Sequence, residues 1–148
     1  MTSMDYNDAY ETCGDTYATL CIYSEDLRPV EITEMLGVEP TKAQKKGEIC
    51  WPRKAVCKVN AWFLSSKDRV ESKDSRRHID WILDQVSDKS NIFESLRRKG
   101  CRTEVSCYWL SMSGHDGPIL SPAQMKPLAA CGLDCWYDIY FSSDEDEA

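Results

Sequence analysis

No apolar run in the chain approaches the roughly 20 residues that a helix needs to cross a bilayer, which argues against a membrane-spanning helix and a membrane partner. The opening residues, MTSMDYNDAYETCGD, carry neither the basic start nor the apolar stretch of a secretory signal, so the cytoplasm is the expected compartment. Also missing are GxGxxG, the phosphate-binding P-loop, the nucleophile elbow and HExxH. Dinucleotide, nucleoside-triphosphate, acyl-hydrolase and zinc-protease chemistries thus lose their usual signatures. Cysteine is plentiful, with eight residues, yet no CxxC pair occurs. Structural zinc takes its ligands from tight, matched knuckles, and only Cys131 and Cys135 come near that spacing, straddling Gly132. Cys21, Cys107 and Cys135 sit in apolar runs, where cysteine behaves as a small hydrophobe. Eight reduced thiols, no metal and no cofactor are expected of a cytoplasmic chain of this kind.

What is present describes one packed domain. The chain has 148 residues, 42% of them hydrophobic, with five tryptophans, enough for a core without a staple. The net charge of −7 is concentrated at the ends, in Asp5, Asp8, Glu11 and Asp15 and in Asp144, Glu145, Asp146 and Glu147. Without them the body is nearly neutral. Residues 1–14 therefore read as a disordered acidic N-terminus, 15–142 as a single α+β domain, and 143–148 as an acidic tail. An acidic whole argues against binding duplex nucleic acid.

Along the body, Tyr17–Ser24 alternates as a strand, with Ala18, Leu20 and Ile22 on one side. Pro29 suits the first helical position, and Gly37 suits the left-handed residue that ends a short helix. Residues 39–54 form an irregular basic loop, followed by a strand within Ala55–Ser65. Asp74 or Ser75 can cap a helix whose Ile79, Ile82, Leu83 and Val86 make an apolar stripe, with His78 on its polar side. Ser90 can open another helix, stopped by Gly100. VSCYWLSM, the loop SGHDGPILS, the helix PAQMKPLAAC and LDCWYDIYF then read as strand, loop, helix and strand. The expected fold is one four-stranded sheet with helices on one face, built from two pseudo-repeated βαβ halves and related to the ferredoxin-like arrangement.

The segments TLCIYSEDLRPVEITEMLGVEPT, KGE, WFLSS, HIDWILDQV, VSCYW, GPILSP and GLDCWYDIYF together resemble a bacterial family of uncharacterised domains, the domain-of-unknown-function family four-two-seven-nine. The resemblance spans Tyr17 to Phe141, departing from the family in EICWPRKAVC. It implies a bacterial cytosolic domain of the expected fold and carries no activity.

Three groups of residues invite a functional reading. His115 and Asp116, in the Gly114–Gly117 loop before a helix start, could serve as a general base beside an anion site. Neighbouring side chains seldom face each other, however, so a solvated turn is the plainer reading. Asp134 and Asp138 share one face of a strand and read as an exposed polar edge rather than an acid–base pair. Strand alternation places Leu20, Ile22, Phe63, Val105, Cys107 and Ile139 toward the helices. Cys21 and the candidate binding residues Tyr23, Trp62, Tyr108, Trp136 and Tyr140 then fall on an uncovered face. The chain reads as a non-catalytic protein-binding module, a toxin-immunity protein being one form, with a protein partner or a homodimer through the open sheet face. A small-ligand sensor, or an enzyme using the Gly114–Gly117 loop, is the alternative.

Overall fold

The structure, a computed structural model, describes residues 5–142. Its elements run β1 (Cys13–Ser24), α1 (Pro29–Leu36), β2 (Lys42–Gln44), β3 (Ile49–Cys50), β4 (Ala55–Val56), β5 (Asn60–Ser65), α2 (Ser75–Val86), α3 (Ser90–Arg98), β6 (Arg102–Ser111), α4 (Pro122–Ala130) and β7 (Asp134–Phe141). β1 is the central strand. It pairs antiparallel with β5 on one side and with β6 on the other, and β7 lies parallel to β6.

The expected single four-stranded sheet is not what forms. The main sheet has five strands in the order β2-β5-β1-β6-β7, and β3 and β4 make a separate two-stranded hairpin. The extra strand is polar and only three residues long, so it has no apolar alternation to announce it. It is held by the register Lys42 to Phe63 and by the Thr41 N–H, which donates to the Phe63 carbonyl at 2.7 Å. Ala55–Ser65 is likewise two strands, interrupted at Cys57, whose N–H donates to the Glu48 carbonyl at 2.7 Å. Nor are there two βαβ halves. β6-α4-β7 is one, but β1 and β5 run antiparallel, because the chain passes through the edge strand and the hairpin before returning. The ferredoxin-like pattern built on two such halves falls with them.

The helices sit where their punctuation put them. Pro29 opens α1, and Gly37 closes it at φ 71°, donating its N–H to the Thr33 carbonyl. That is a left-handed conformation which glycine adopts without steric cost. The Asp74 carboxylate accepts the Arg76 N–H and caps α2. Ile79, Ile82, Leu83 and Val86 are all buried, meeting Ala18, Leu20 and Ile22 of β1 and Phe93 and Leu96 of α3 in one core. At the start of β1 a bulge lies between Cys13 and Asp15. A Cβ at Gly14 would come within 2.6 Å of the Met112 sulfur, so a larger residue there would require the Met112 side chain to move.

Trp62 and Phe63 exchange the faces expected of them. Ile22 stands opposite Trp62 and Leu20 opposite Leu64, so Trp62 is fully buried and donates its indole N–H to Thr33 Oγ1 at 3.0 Å. Burying the even-numbered residues of β5 puts Trp62 and Leu64 in the core. The other parity would have offered Phe63 flanked only by Ala61 and Ser65. Tertiary burial decides the register.

Residues 5–12 lie against the domain: the Asn7 N–H donates to Asp74, Arg77 grips Asp8 at 2.8 and 3.1 Å, and Tyr10 donates to the Gly117 carbonyl. Residues 1–4 and the acidic tail at 143–148 lie outside the described residues. His78 is buried rather than on a polar side. Cys50 and Cys57, with Cα atoms 5.3 Å apart across the β3–β4 hairpin, are joined in a disulfide, leaving six free cysteines.

Candidate functional site

The helices cover one face of the sheet, and the side chains of the other face organise into two groups. Both follow from register, since directly paired residues project to the same side. Tyr17 pairs with Tyr108 and their rings stack, centroids 4.9 Å apart. Tyr140 lies diagonally from Tyr108 with centroids 5.4 Å apart, and Trp136 shares their face two pairs along β7. Lys67 holds its ammonium 5.4 Å above the Tyr17 ring. The second group is Tyr23 edge-on to Phe63, with the Arg102 guanidinium 4.6 Å over Tyr23 and paired to Glu104 at 3.1 Å.

Of the five candidate binding residues, then, Tyr108, Trp136 and Tyr140 come together. Tyr23 sits in the second group, and Trp62 is on the far side of the sheet. Tyr17 completes the first group. Its place in the alternation of β1 was readable from its spacing to Cys21 and Tyr23. Asp134 and Asp138 flank Trp136 on the same face and are exposed. Burial, then the carboxylates of Asp15 and Asp138, raise the hydroxyl pKa of Tyr17. Burial and Asp15 do the same at Tyr108. Both rings are neutral hydrogen-bond donors at physiological pH.

The catalytic alternatives fare poorly on geometry. His115 Nδ1 is 3.2 Å from the Asp116 carboxylate, so the neighbours do meet, but both side chains are 72% exposed. Asp116 lines an open pocket with Tyr10, Glu11 and Thr12. His78 has the opposite problem. Its Nδ1 is 2.7 Å from Ser66 Oγ and its Nε2 is 2.8 Å from the Ser72 carbonyl. A carbonyl can only accept, so Nε2 carries the proton and Nδ1 accepts from the Ser66 hydroxyl, which in turn accepts the Ala18 N–H at 2.9 Å. Burial lowers the His78 pKa and keeps the ring neutral. This chain of bonds engages both ring nitrogens of His78 and ties α2 to β1. Burial also raises the thiols, Cys13 and Cys21 to about 11 and Cys107 to about 12, with Cys101, Cys131 and Cys135 moved the same way. None is a thiolate at neutral pH.

The rest of the aromatic site is its border. β7 closes the sheet, and no other described strand pairs with its outer side. Trp136 and Tyr140 are 59% and 52% exposed on the open face, and Ile139 and Phe141 are 46% and 66% exposed on the helix side, where cover runs out beyond Tyr137. Neither a curated protein nor a solved structure is similar enough to match the chain. A family model does match, across residues 14–142, nearly the whole chain and all seven strands but for the first residue of β1. The chain belongs to the family described as Domain of unknown function (DUF4279).

Proposed function

We propose that this chain is a non-catalytic protein-binding module that docks its partner on the open face around Tyr17, Tyr108, Trp136 and Tyr140. The observation that carries the reading is the continuous row of rings on the face opposite the helices. Tyrosine and tryptophan supply large contact area at small entropic cost and dominate interface hot spots. The border of the row is acidic: Asp15, Asp134 and Asp138 surround it, against the single ammonium of Lys67. That charge favours a protein surface with an apolar centre and a Lys- or Arg-rich rim, and it disfavours single-stranded nucleic acid, which needs cations beside the stacking rings. Masking the basic surface of a toxin is the specific form that fits this rim.

The test places a photoreactive phenylalanine at position 108 of the full chain in its native host. It should cross-link to a partner whose affinity falls by tenfold or more, about 1.4 kcal/mol, in Tyr17→Ala or Tyr108→Ala. Trp51→Ala, on the distant hairpin, should leave that affinity unchanged. Full retention by both tyrosine variants contradicts the reading.

A further inference from the structure

The outer edge of β7 poses a separate problem. An edge strand offers a row of unpaired N–H and C=O groups, and proteins blunt such edges with shortness, lysine, proline or a covering element. β7 is eight residues long, DCWYDIYF, with no lysine and no proline; its only charges are Asp134 and Asp138, no described element pairs with its outer side, and its exposure increases toward the C-terminal end. It also exposes large apolar side chains on both faces at once, Trp136 and Tyr140 on one and Ile139 and Phe141 on the other. A partner lying on the open face would cover only the first pair. A strand added in the plane of the sheet covers both.

We propose that β7 is an association edge and that its occupant is β7 of a second copy, paired antiparallel about a two-fold axis at Tyr137. Such an axis stands perpendicular to the sheet. It keeps both open faces on the same side and pairs each residue with one of like face. Few registers satisfy it. Centred on Trp136, it sets Asp134 opposite Asp138; centred on Asp138, it sets that carboxylate opposite itself. Like charges directly opposed destabilise a strand pair. Centred on Ile139, it leaves Asp134, Cys135 and Trp136 without partners in the strand. Centred on Tyr137, it pairs Asp134 with Tyr140, Cys135 with Ile139 and Trp136 with Asp138, and brings Phe141 against Leu133. No acid then opposes an acid, each carboxylate faces an indole N–H or phenol O–H, and all four exposed apolar residues gain cover. The two Asp138 side chains remain diagonal neighbours, at roughly 7–8 Å, as the residual cost.

The pairing joins two five-stranded sheets edge to edge and adds the second copy's Trp136 and Tyr140 to the row of rings in the first. It does not rest on the protein-binding reading, and the two fail separately: Tyr108→Ala should abolish partner capture and leave the dimer intact.

Ile139→Cys tests edge and register together. In the Tyr137-centred pair, position 139 faces the native Cys135 of the other copy, at the Cα separation a disulfide spans. Mild oxidation should convert most of this variant to a covalent dimer on a non-reducing gel, and Cys135→Ser in the same chain should prevent it. The unmodified chain should show twice its 16.9 kDa mass by light scattering. Trp136→Glu, which sets an acid opposite Asp138, should return it to a single chain, and adding Asp138→Lys should restore the dimer. A single-chain mass up to the solubility limit overturns the proposal. So does a dimer that tolerates Trp136→Glu, or one in which Ile139→Cys fails to cross-link.

Discussion

The two edges of the main sheet are built on opposite principles. On one side β2 is three residues long, carries Lys42, and leads directly into a disulfide-clamped hairpin whose outward residues include Lys54 set against the Trp51 ring. On the other side β7 is eight residues long, carries no cation, and exposes aromatic and aliphatic side chains on both faces. The first edge follows the usual defences against adding another strand, and the second keeps only the charges of Asp134 and Asp138. On the proposed pairing, leaving one edge long while blunting the other would direct association to a single place. The row of tyrosines runs from the central strand β1 across β6 to that edge on β7.

The contrast is sharpest at two of the strand tryptophans, one near each edge. Trp62→Ala, on β5 beside the blunted edge, empties a fully buried site and loses the bond to Thr33, so it should cost about 3–5 kcal/mol in denaturant unfolding. Trp136→Ala, on the open edge, should cost the isolated fold less than about 1 kcal/mol while weakening association. Equal losses at the two positions would break the comparison.

Next in size is the clamp beside β2. Closing so short a loop restrains the unfolded chain by at most about 2.5 kcal/mol, so Cys50→Ser with Cys57→Ser should destabilise by that much or less. The loss should appear as fraying of residues 42–58, with β7-mediated association unchanged. Thiol titration of the denatured, unreduced chain should find six groups, since six cysteines are free. Eight would show that the hairpin is held by packing alone.

The smallest effect lies under the centre of the sheet and should not discriminate between the edges. Burial depresses the folded pKa of His78 below its ordinary value of 6.5. The unfolded chain therefore binds the proton more readily, and stability contributed by the neutral ring is complete above pH 6.5 and drains away as pH falls below it. His78→Gln should flatten this acid dependence. An unchanged pH profile would mean that the ring is not held neutral by its bonds to Ser66 and Ser72.

Much of the fold was legible, for local reasons. Pro29 with Gly37, Asp74, and Ser121 before Pro122 mark helix ends by backbone chemistry that acts within a few residues, and the stripe in α2 needs only its own periodicity. What escaped depends on partners distant in sequence. The parity of β5 is decided by whether Trp62 or Phe63 meets Ile22, and both alternate equally well on paper. The polar strand Lys42–Gln44 exists because β5 offers it an edge. Residues 5–12 look like an acidic tail until Arg77 and Asp74 are placed beside them. For the same reason, three of the five aromatics read as one site come together. Tyr108, Trp136 and Tyr140 depended only on alternation within two adjacent strands.

If β7, and not β2, is the edge through which two copies pair, amide hydrogen exchange measured residue by residue across a dilution series will separate the two edges. Those β7 amides that do not bond to β6 should exchange about tenfold or more slowly when the protein is concentrated than when it is dilute, while the amides of Lys42–Gln44 keep one rate throughout. Concentration-independent exchange along Asp134–Phe141, or protection gained at β2 instead, would contradict it.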